Sequence, residues 1–80
     1  MAKPSFTEKQ GQYLAFIHYY TKVNGRPPAQ GDMQRFFGVT PPSVHRIVIE
    51  LERRGLITRV PRSARSIAVT VPVDAIPPLR

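Results

Sequence analysis

Two pairs of adjacent prolines, at 27–28 and 41–42, constrain how this chain can fold more than any other feature. A proline inside a helix removes a backbone hydrogen bond and clashes with the preceding turn, and the residue before a proline is held extended. At the first turn of a helix proline is tolerated, because the amide proton that it lacks has no partner there. Each pair is therefore expected at the boundary of an element.

The segments on either side of the first pair predict two helices of unequal length. Residues 7–24 contain no proline and place apolar side chains every three or four positions, the period of a helix with one buried face. Thr7 and Gln10 have the spacing of a capping box at its start. A shorter helix is predicted over residues 30–37, and its apolar face is expected to comprise Met33, Phe36 and Phe37.

The second proline pair predicts the start of a third helix. Thr40 is suited to cap it, and Pro41 falls at its first position, where proline is common. The apolar period continues to about Arg54, and Gly55 is a suitable stop. The buried face of this helix is predicted to comprise Val44, Ile47, Val48 and Leu51.

Two β-rich runs follow, LITRV at 56–60 and SIAVTV at 66–71, and they predict a hairpin. A short helix, a glycine turn, a further helix and a hairpin are the parts of a winged helix-turn-helix. We therefore predict a mainly α fold with a small β-hairpin, a three-helix winged helix-turn-helix of the α+β class. The domain is expected over residues 6–71, after a disordered start at 1–5 and before an irregular, proline-rich tail at 72–80.

The charge of the chain favours an anionic partner. Twelve Lys and Arg residues against five Asp and Glu give a formal net charge of +7. Residues 53–65 hold five arginines and no acidic residue. Charge concentrated in this way is typical of a surface that binds nucleic acid, whereas an evenly spread excess would serve only solubility.

Other classes of function find little support in the composition. The chain has no cysteine, so it has no disulfide, thiol nucleophile or cysteine-ligated zinc. The two separated histidines and five acidic residues provide no nucleophile–base–acid set, so we do not expect an enzyme. We also expect no metal, cofactor or small-molecule effector. No apolar run approaches the roughly 18 residues of a membrane span, and no signal peptide is evident, which predicts a cytoplasmic protein without a membrane partner.

The first two turns of the third helix hold the candidate base-reading residues. If the apolar face points inward, the residues between its members point outward or flank it. Arg46 can bind guanine through two hydrogen bonds, and His45 or Ser43 can donate to a base or a phosphate. Pro42 can offer only apolar contact, for instance to a thymine methyl group. The predicted DNA-binding residues of this helix are Thr40, Pro42, Ser43, His45 and Arg46.

The tip of the hairpin holds a second group of candidates. Arg62 and Arg65 have the chemistry to bind phosphates or a narrow minor groove, and Ser63 lies between them. The predicted DNA-binding residues of the hairpin are therefore Arg62, Ser63 and Arg65.

Two stretches, FTEKQGQYLAFIHYYTKVNGRPP and FGVTPPSVHRIVIELERRGLI, resemble the DNA-binding domain of LexA repressors. The resemblance covers about residues 6–70 and implies a winged helix-turn-helix that binds operator DNA, usually as a dimer. It implies DNA contacts at the same residues of the third helix and around residues 62–65. The family usually has Asn where Pro42 stands and acidic residues where His45 and Arg46 stand, so its operator sequence is not expected to apply.

LexA repressors continue into a self-cleaving peptidase domain with a Ser–Lys dyad, and because this chain ends at residue 80 we expect it to lack autoproteolysis. The function predicted is sequence-specific binding of double-stranded DNA by a small transcriptional regulator, a repressor, acting as a homodimer on DNA. Two alternatives stay open at this point. One is a sequence-tolerant nucleic-acid binder, and the other is a winged-helix module that docks on protein.

Overall fold

The computed structural model describes residues 5–63 and 65–80. Within them the chain forms three helices, an antiparallel pair of short strands and one 3-10 turn. The elements are α1 (Glu8–Asn24), α2 (Gln30–Phe37), α3 (Pro41–Arg53), β1 (Ile57–Thr58), β2 (Ala68–Val69) and the 3-10 turn (Val73–Ala75). The predicted fold class, a three-helix winged helix-turn-helix with a small hairpin, is confirmed. The disordered start predicted at 1–5 lies outside the described residues, apart from Ser5.

Helix α1 begins and ends as the sequence predicts. The Thr7 hydroxyl accepts from the Gln10 amide at 3.1 Å, and the Gln10 side chain accepts from the Thr7 amide at 2.9 Å. Both halves of a capping box are thus present. At the other end Gly25 has φ of 73°, a left-handed conformation that glycine adopts without steric cost.

Helix α2 has the predicted bounds but starts without a conventional cap. Ala29 has no side-chain acceptor, so Asp32 alone holds this end, through a carboxylate that accepts from the Ala29 amide at 2.8 Å. The predicted apolar face is correct at Met33, which is fully buried, and at Phe37, which is partly buried. Phe36 lies at the edge of this face, since it is 47% exposed while its ring packs on Phe16 with the centroids 4.7 Å apart.

Helix α3 ends one residue before the predicted Arg54. Thr40 occupies the cap position, but its hydroxyl accepts from no backbone amide, so the predicted side-chain cap is wrong. The physical reason is that Pro42 has no amide proton to donate, and the next amide, that of Ser43, is directed to the Thr40 carbonyl instead of the hydroxyl. Ser43 donates its amide to the Thr40 carbonyl at 3.1 Å, and the two hydroxyls lie 2.9 Å apart. Of the predicted buried face, three members are fully buried and Ile47 is partly so.

The hairpin is shorter than the two β-rich runs predict. Its register pairs Ile57 with Val69 and Thr58 with Ala68. Beyond these pairs the two sides of the hairpin are joined through the Ser66 side chain. Its hydroxyl accepts a hydrogen bond from the Val60 amide at 2.8 Å and donates to the Val60 carbonyl at 3.1 Å. The two strands and the turn between them form the wing.

The core lies between the three helices and the inner side of the wing. It is built from fully or almost fully buried apolar side chains of the three helices, of Leu56 and Ile57 at the first strand, and of Ile67 just before the second strand, whose Val69 is partly buried. The largest of them are Tyr13, Leu14, Phe16, Ile17, Met33, Val44, Val48, Leu51, Leu56, Ile57 and Ile67. Tyr13 stacks on Phe37, with ring centroids 4.0 Å apart, and so joins α1 to α2.

The last residues of the chain lie against α1, which the sequence did not indicate. The Gln12 side chain donates to the Pro78 carbonyl at 2.9 Å and accepts from the Arg80 amide at 2.9 Å. The Arg80 guanidinium pairs with Glu8. The proline-rich segment after Val71 contains the 3-10 turn and is otherwise irregular, and these contacts hold it to the domain.

A glycine inside α1 makes room for that segment. A methyl group added at Gly11 would lie 2.9 Å from a ring carbon of Phe6 and 3.0 Å from the ring of Pro77. We expect Gly11→Ala to lower the free energy of unfolding by about 1 kcal/mol, because overpacking outweighs the better helix propensity of alanine. In the control, Gly31→Ala, the new methyl would lie 3.7 Å from Arg35, an ordinary contact. This control should raise the free energy of unfolding by about 0.5 kcal/mol.

Urea unfolding followed by far-ultraviolet circular dichroism measures both effects. Equal stabilisation by the two alanines would contradict close packing of Phe6 and Pro77 over Gly11.

Candidate nucleic-acid interface

The outward face of α3 collects the residues predicted to read bases. Val44, Val48 and Leu51 are fully buried on the opposite side, so the packing of the helix determines which side chains face solvent. Ser43 is partly exposed at the edge of this outward face. The other predicted residues of the helix are exposed, namely Thr40, Pro42, His45 and Arg46.

Helix α2 supports α3 in the arrangement of a helix-turn-helix. Gly38 ends α2 with φ of 65°, and its amide donates to the Gln34 carbonyl at 2.9 Å. Only residues 38–40 separate the two helices, and α2 packs against α3. The short turn and the packing of α2 against α3 fix the position of the first turns of α3, most of whose predicted residues are exposed.

The tip of the wing presents two of its three predicted residues. Arg62 and Ser63 are exposed, and the Ser63 amide donates to the Val60 carbonyl at 3.2 Å, closing a turn. Arg62 has φ of 67°, a backbone region that costs a residue other than glycine about 1 kcal/mol. The turn therefore holds an arginine where glycine would be conformationally easier.

The side chain of Arg65 points away from Arg62 and Ser63, toward the start of α2. Its guanidinium Nη1 lies 3.1 Å from Asp32 Oδ2, 3.2 Å from the Pro27 carbonyl and 3.4 Å from the Tyr20 hydroxyl. These contacts draw the side chain to the start of α2, and the hydrogen bond to Tyr20 and the charge of Asp32 raise the pKa of Arg65. Arg65 thus joins the wing to α2 instead of extending from the tip with Arg62.

Asp32 is the centre of that junction, and the sequence indicated it only as a favourable first-turn residue. Its side chain is 11% exposed and pairs with Arg35 at 2.6 Å as well as with Arg65. The hydrogen bond from the Ala29 amide, followed by the charges of Arg65 and Arg35, holds the pKa of Asp32 below its ordinary value of 3.8. The carboxylate also lies at the positive end of the α2 dipole.

The acidic side chains of α3 are likewise paired with arginines. Glu50 accepts from two nitrogens of Arg53, at 2.8 and 2.7 Å, and this hydrogen bonding lowers the pKa of Glu50. Glu52 accepts from Arg59 at 3.0 Å and so ties the first strand of the wing to α3. Within the part of the chain that the structure describes, Arg46 and Arg62 form no ion pair, which leaves their charge for an external anion.

The family model of the LexA DNA binding domain matches residues 3–66. The chain belongs to the LexA DNA-binding domain family. A LexA repressor of Thermosipho melanesiensis is 44% identical over 63 residues, which are 79% of this chain and 32% of that protein. A LexA repressor of Thermosipho africanus is 40% identical over 63 residues, again 79% of this chain and 32% of that protein. The chain thus spans about a third of the length of these curated relatives.

This LexA-type domain has its helix-turn-helix in α2 and α3 and its wing in the hairpin, so the predicted resemblance is confirmed. None of its helices, among the residues described, has the length and apolar character needed to cross a membrane. No group of three or more His, Cys, Asp or Glu side chains suited to a metal ion occurs in residues 5–63 and 65–80.

Proposed function

We propose that this LexA-type domain binds double-stranded DNA at specific sequences and serves as the DNA-binding part of a transcriptional repressor. The outward face of α3 enters the major groove, and the tip of the wing lies against the sugar–phosphate backbone. The observation that supports this most directly is the exposed start of α3, where Arg46 forms no ion pair among the described residues, together with Arg62 on the wing, which likewise forms none there.

Arg46 is proposed to specify a base, and Arg62 to bind phosphate. An arginine in the second turn of a recognition helix reaches base edges, and its planar guanidinium matches the two acceptors of guanine. Arg62 and Ser63, at an exposed tip, suit the phosphate oxygens beside the groove. We leave Arg65 out of the proposed contact set, because its guanidinium is engaged by Asp32.

The hydroxyl pair at the start of α3 adds a hydrogen-bond donor to the interface. Thr40 and Ser43 each carry one hydroxyl proton, and their oxygens lie 2.9 Å apart. Whichever hydroxyl donates within the pair, the other keeps its proton. That proton is proposed to bind a phosphate or base acceptor, with His45 and Pro42 beside it on the same face.

Two copies of the domain are proposed to bind an inverted repeat. One recognition helix reads only a few base pairs, and a single small interface is weak at physiological salt.

We place the protein in the compartment that holds the genome, the cytoplasm. We propose no catalytic role, cofactor or small-molecule effector for the domain, and we take its folding unit to include the segment at 72–80 that packs on α1.

Selection from a randomised duplex pool at physiological salt tests the proposal. We expect the domain to enrich a short motif, repeated in inverted orientation about a centre. Enrichment without a motif would indicate binding driven by charge alone, and no enrichment would favour a protein partner. Either of these results would contradict sequence-specific binding.

A further inference from the structure

The centre of the outward face of α3 is occupied by an apolar side chain, Ile49. Successive residues of a helix are about 100° apart, so Ile49 lies on the same line as Pro42, seven residues earlier. Leu51, two residues later, points in nearly the opposite direction and is fully buried. Ile49 is 44% exposed and makes no part of the core cluster.

Cationic side chains lie on both sides of Ile49 along the helix. Arg46 precedes it by three positions and Arg53 follows it by four, and both are exposed. Arg53 is held back along the helix by two hydrogen bonds to Glu50, at 2.8 and 2.7 Å. The apolar surface at Ile49 therefore has the unpaired charge of Arg46 on one side and the Arg53–Glu50 ion pair on the other, and the charge of Arg46 complements a polyanion such as DNA.

We infer that Ile49 contacts the C5 methyl group of a thymine in the major groove and is a specificity-determining residue of this domain. The inference rests on the proposed function, because it requires α3 to lie in that groove. An isoleucine side chain has no donor or acceptor, so it can distinguish bases only by apolar contact. The thymine methyl is the apolar group that the four bases present in the major groove.

The geometry of α3 also indicates where this thymine lies. Seven residues of helix extend about 10 Å, which is about three base-pair steps of DNA. The thymine read by Ile49 is therefore expected at most about three base pairs from the position nearest Pro42, fewer if the axis of α3 is inclined to that of the DNA. Arg46 reaches the bases between them.

The test uses the motif recovered from the randomised pool. Each thymine of the site is replaced in turn by deoxyuridine, which lacks only the methyl group, and affinities are measured by fluorescence anisotropy. We expect one replacement in each half-site to weaken wild-type binding by about fourfold, the effect of one buried methyl group. The same replacement should have no effect on Ile49→Ala, and Ile49→Val should retain most of the sensitivity.

Val23→Ala is the matched control, since Val23 is an apolar side chain of α1 that is 81% exposed. It should leave both the affinity and the sensitivity to deoxyuridine unchanged. Unfolding curves of all variants separate a change in contact from a change in folding.

The outcomes distinguish failure of the inference from failure of the function. If no motif is recovered, both are overturned. If a motif is recovered but every replacement affects wild-type and Ile49→Ala equally, sequence-specific binding stands and the role of Ile49 is overturned.

Discussion

Arg46→Ala is expected to weaken binding to the selected DNA site by about 5- to 150-fold, equivalent to about 1–3 kcal/mol. Its affinity for duplex of unrelated sequence should change far less, because only the selected site presents the base that Arg46 binds. The side chain is exposed, so the unfolding curve of the variant should match that of the wild type. Anisotropy titrations against the selected and a scrambled duplex measure both affinities.

Arg62→Ala is the matched control on the wing. It removes one arginine of the same charge, but from a position proposed to contact phosphate. We expect it to weaken binding to both duplexes by a similar factor and to reduce the slope of log affinity against log salt by about one. If Arg46→Ala instead weakens both duplexes equally, α3 does not read bases at this position.

Asp32→Ala is expected to have the largest effect on stability among the charged residues described. The substitution removes the hydrogen bond that starts α2 and the partner of both Arg35 and Arg65. We expect the free energy of unfolding to fall by about 2 kcal/mol at neutral pH, since the lost bonds involve a charged and mostly buried group. For a domain of this size the melting temperature should fall by about 10 °C.

Asp32 also makes the free energy of unfolding depend on pH in the acidic range. Because the pKa of Asp32 is lower in the folded chain than its ordinary value of 3.8, the folded state binds fewer protons in that range. The stabilisation is therefore complete above pH 3.8 and is lost as the pH falls through the folded pKa. The difference in stability between wild type and Asp32→Ala should shrink over that window.

Thermal melts at a series of pH values measure this difference, and the comparison cancels the contribution of Glu50, which both proteins retain. Asp74→Ala is the control, since Asp74 is an exposed aspartate in the 3-10 turn. It should change the free energy of unfolding by no more than about 0.5 kcal/mol at any pH. A difference between wild type and Asp32→Ala that stays constant down to pH 2 would show that the carboxylate is not the stabilising group.

The helices were predictable because local chemistry determines where they begin and end. The Thr7–Gln10 capping box, the proline pair that opens α3 and Gly55 act within four residues of each helix end. In α3, Leu56 and Gly55 donate to carbonyls of the last turn, at 2.9 and 3.0 Å, as such a glycine stop requires. The period of apolar residues likewise identified the outward face.

Features that depend on distant partners could not be predicted from the sequence. Arg65 was assigned to the DNA surface because residues 53–65 contain no acidic residue, but its partner, Asp32, lies 33 positions earlier. The contacts of Gln12 with Pro78 and Arg80 span still greater separations. Ile49, by contrast, was already left off the buried face by the apolar period, and its exposed fraction of 44% agrees with that.

The wing is held on both of its sides, because Arg59, which follows β1, pairs with Glu52 of α3, and Arg65, which precedes β2, pairs with Asp32 of α2. Its tip is therefore positioned relative to the recognition helix before DNA arrives. A freely moving wing would lose conformational entropy when it settled beside the groove, and that loss would subtract from affinity. Here both ion pairs belong to the folded chain, so we expect them to reduce that loss and to favour the proposed binding of phosphate by Arg62.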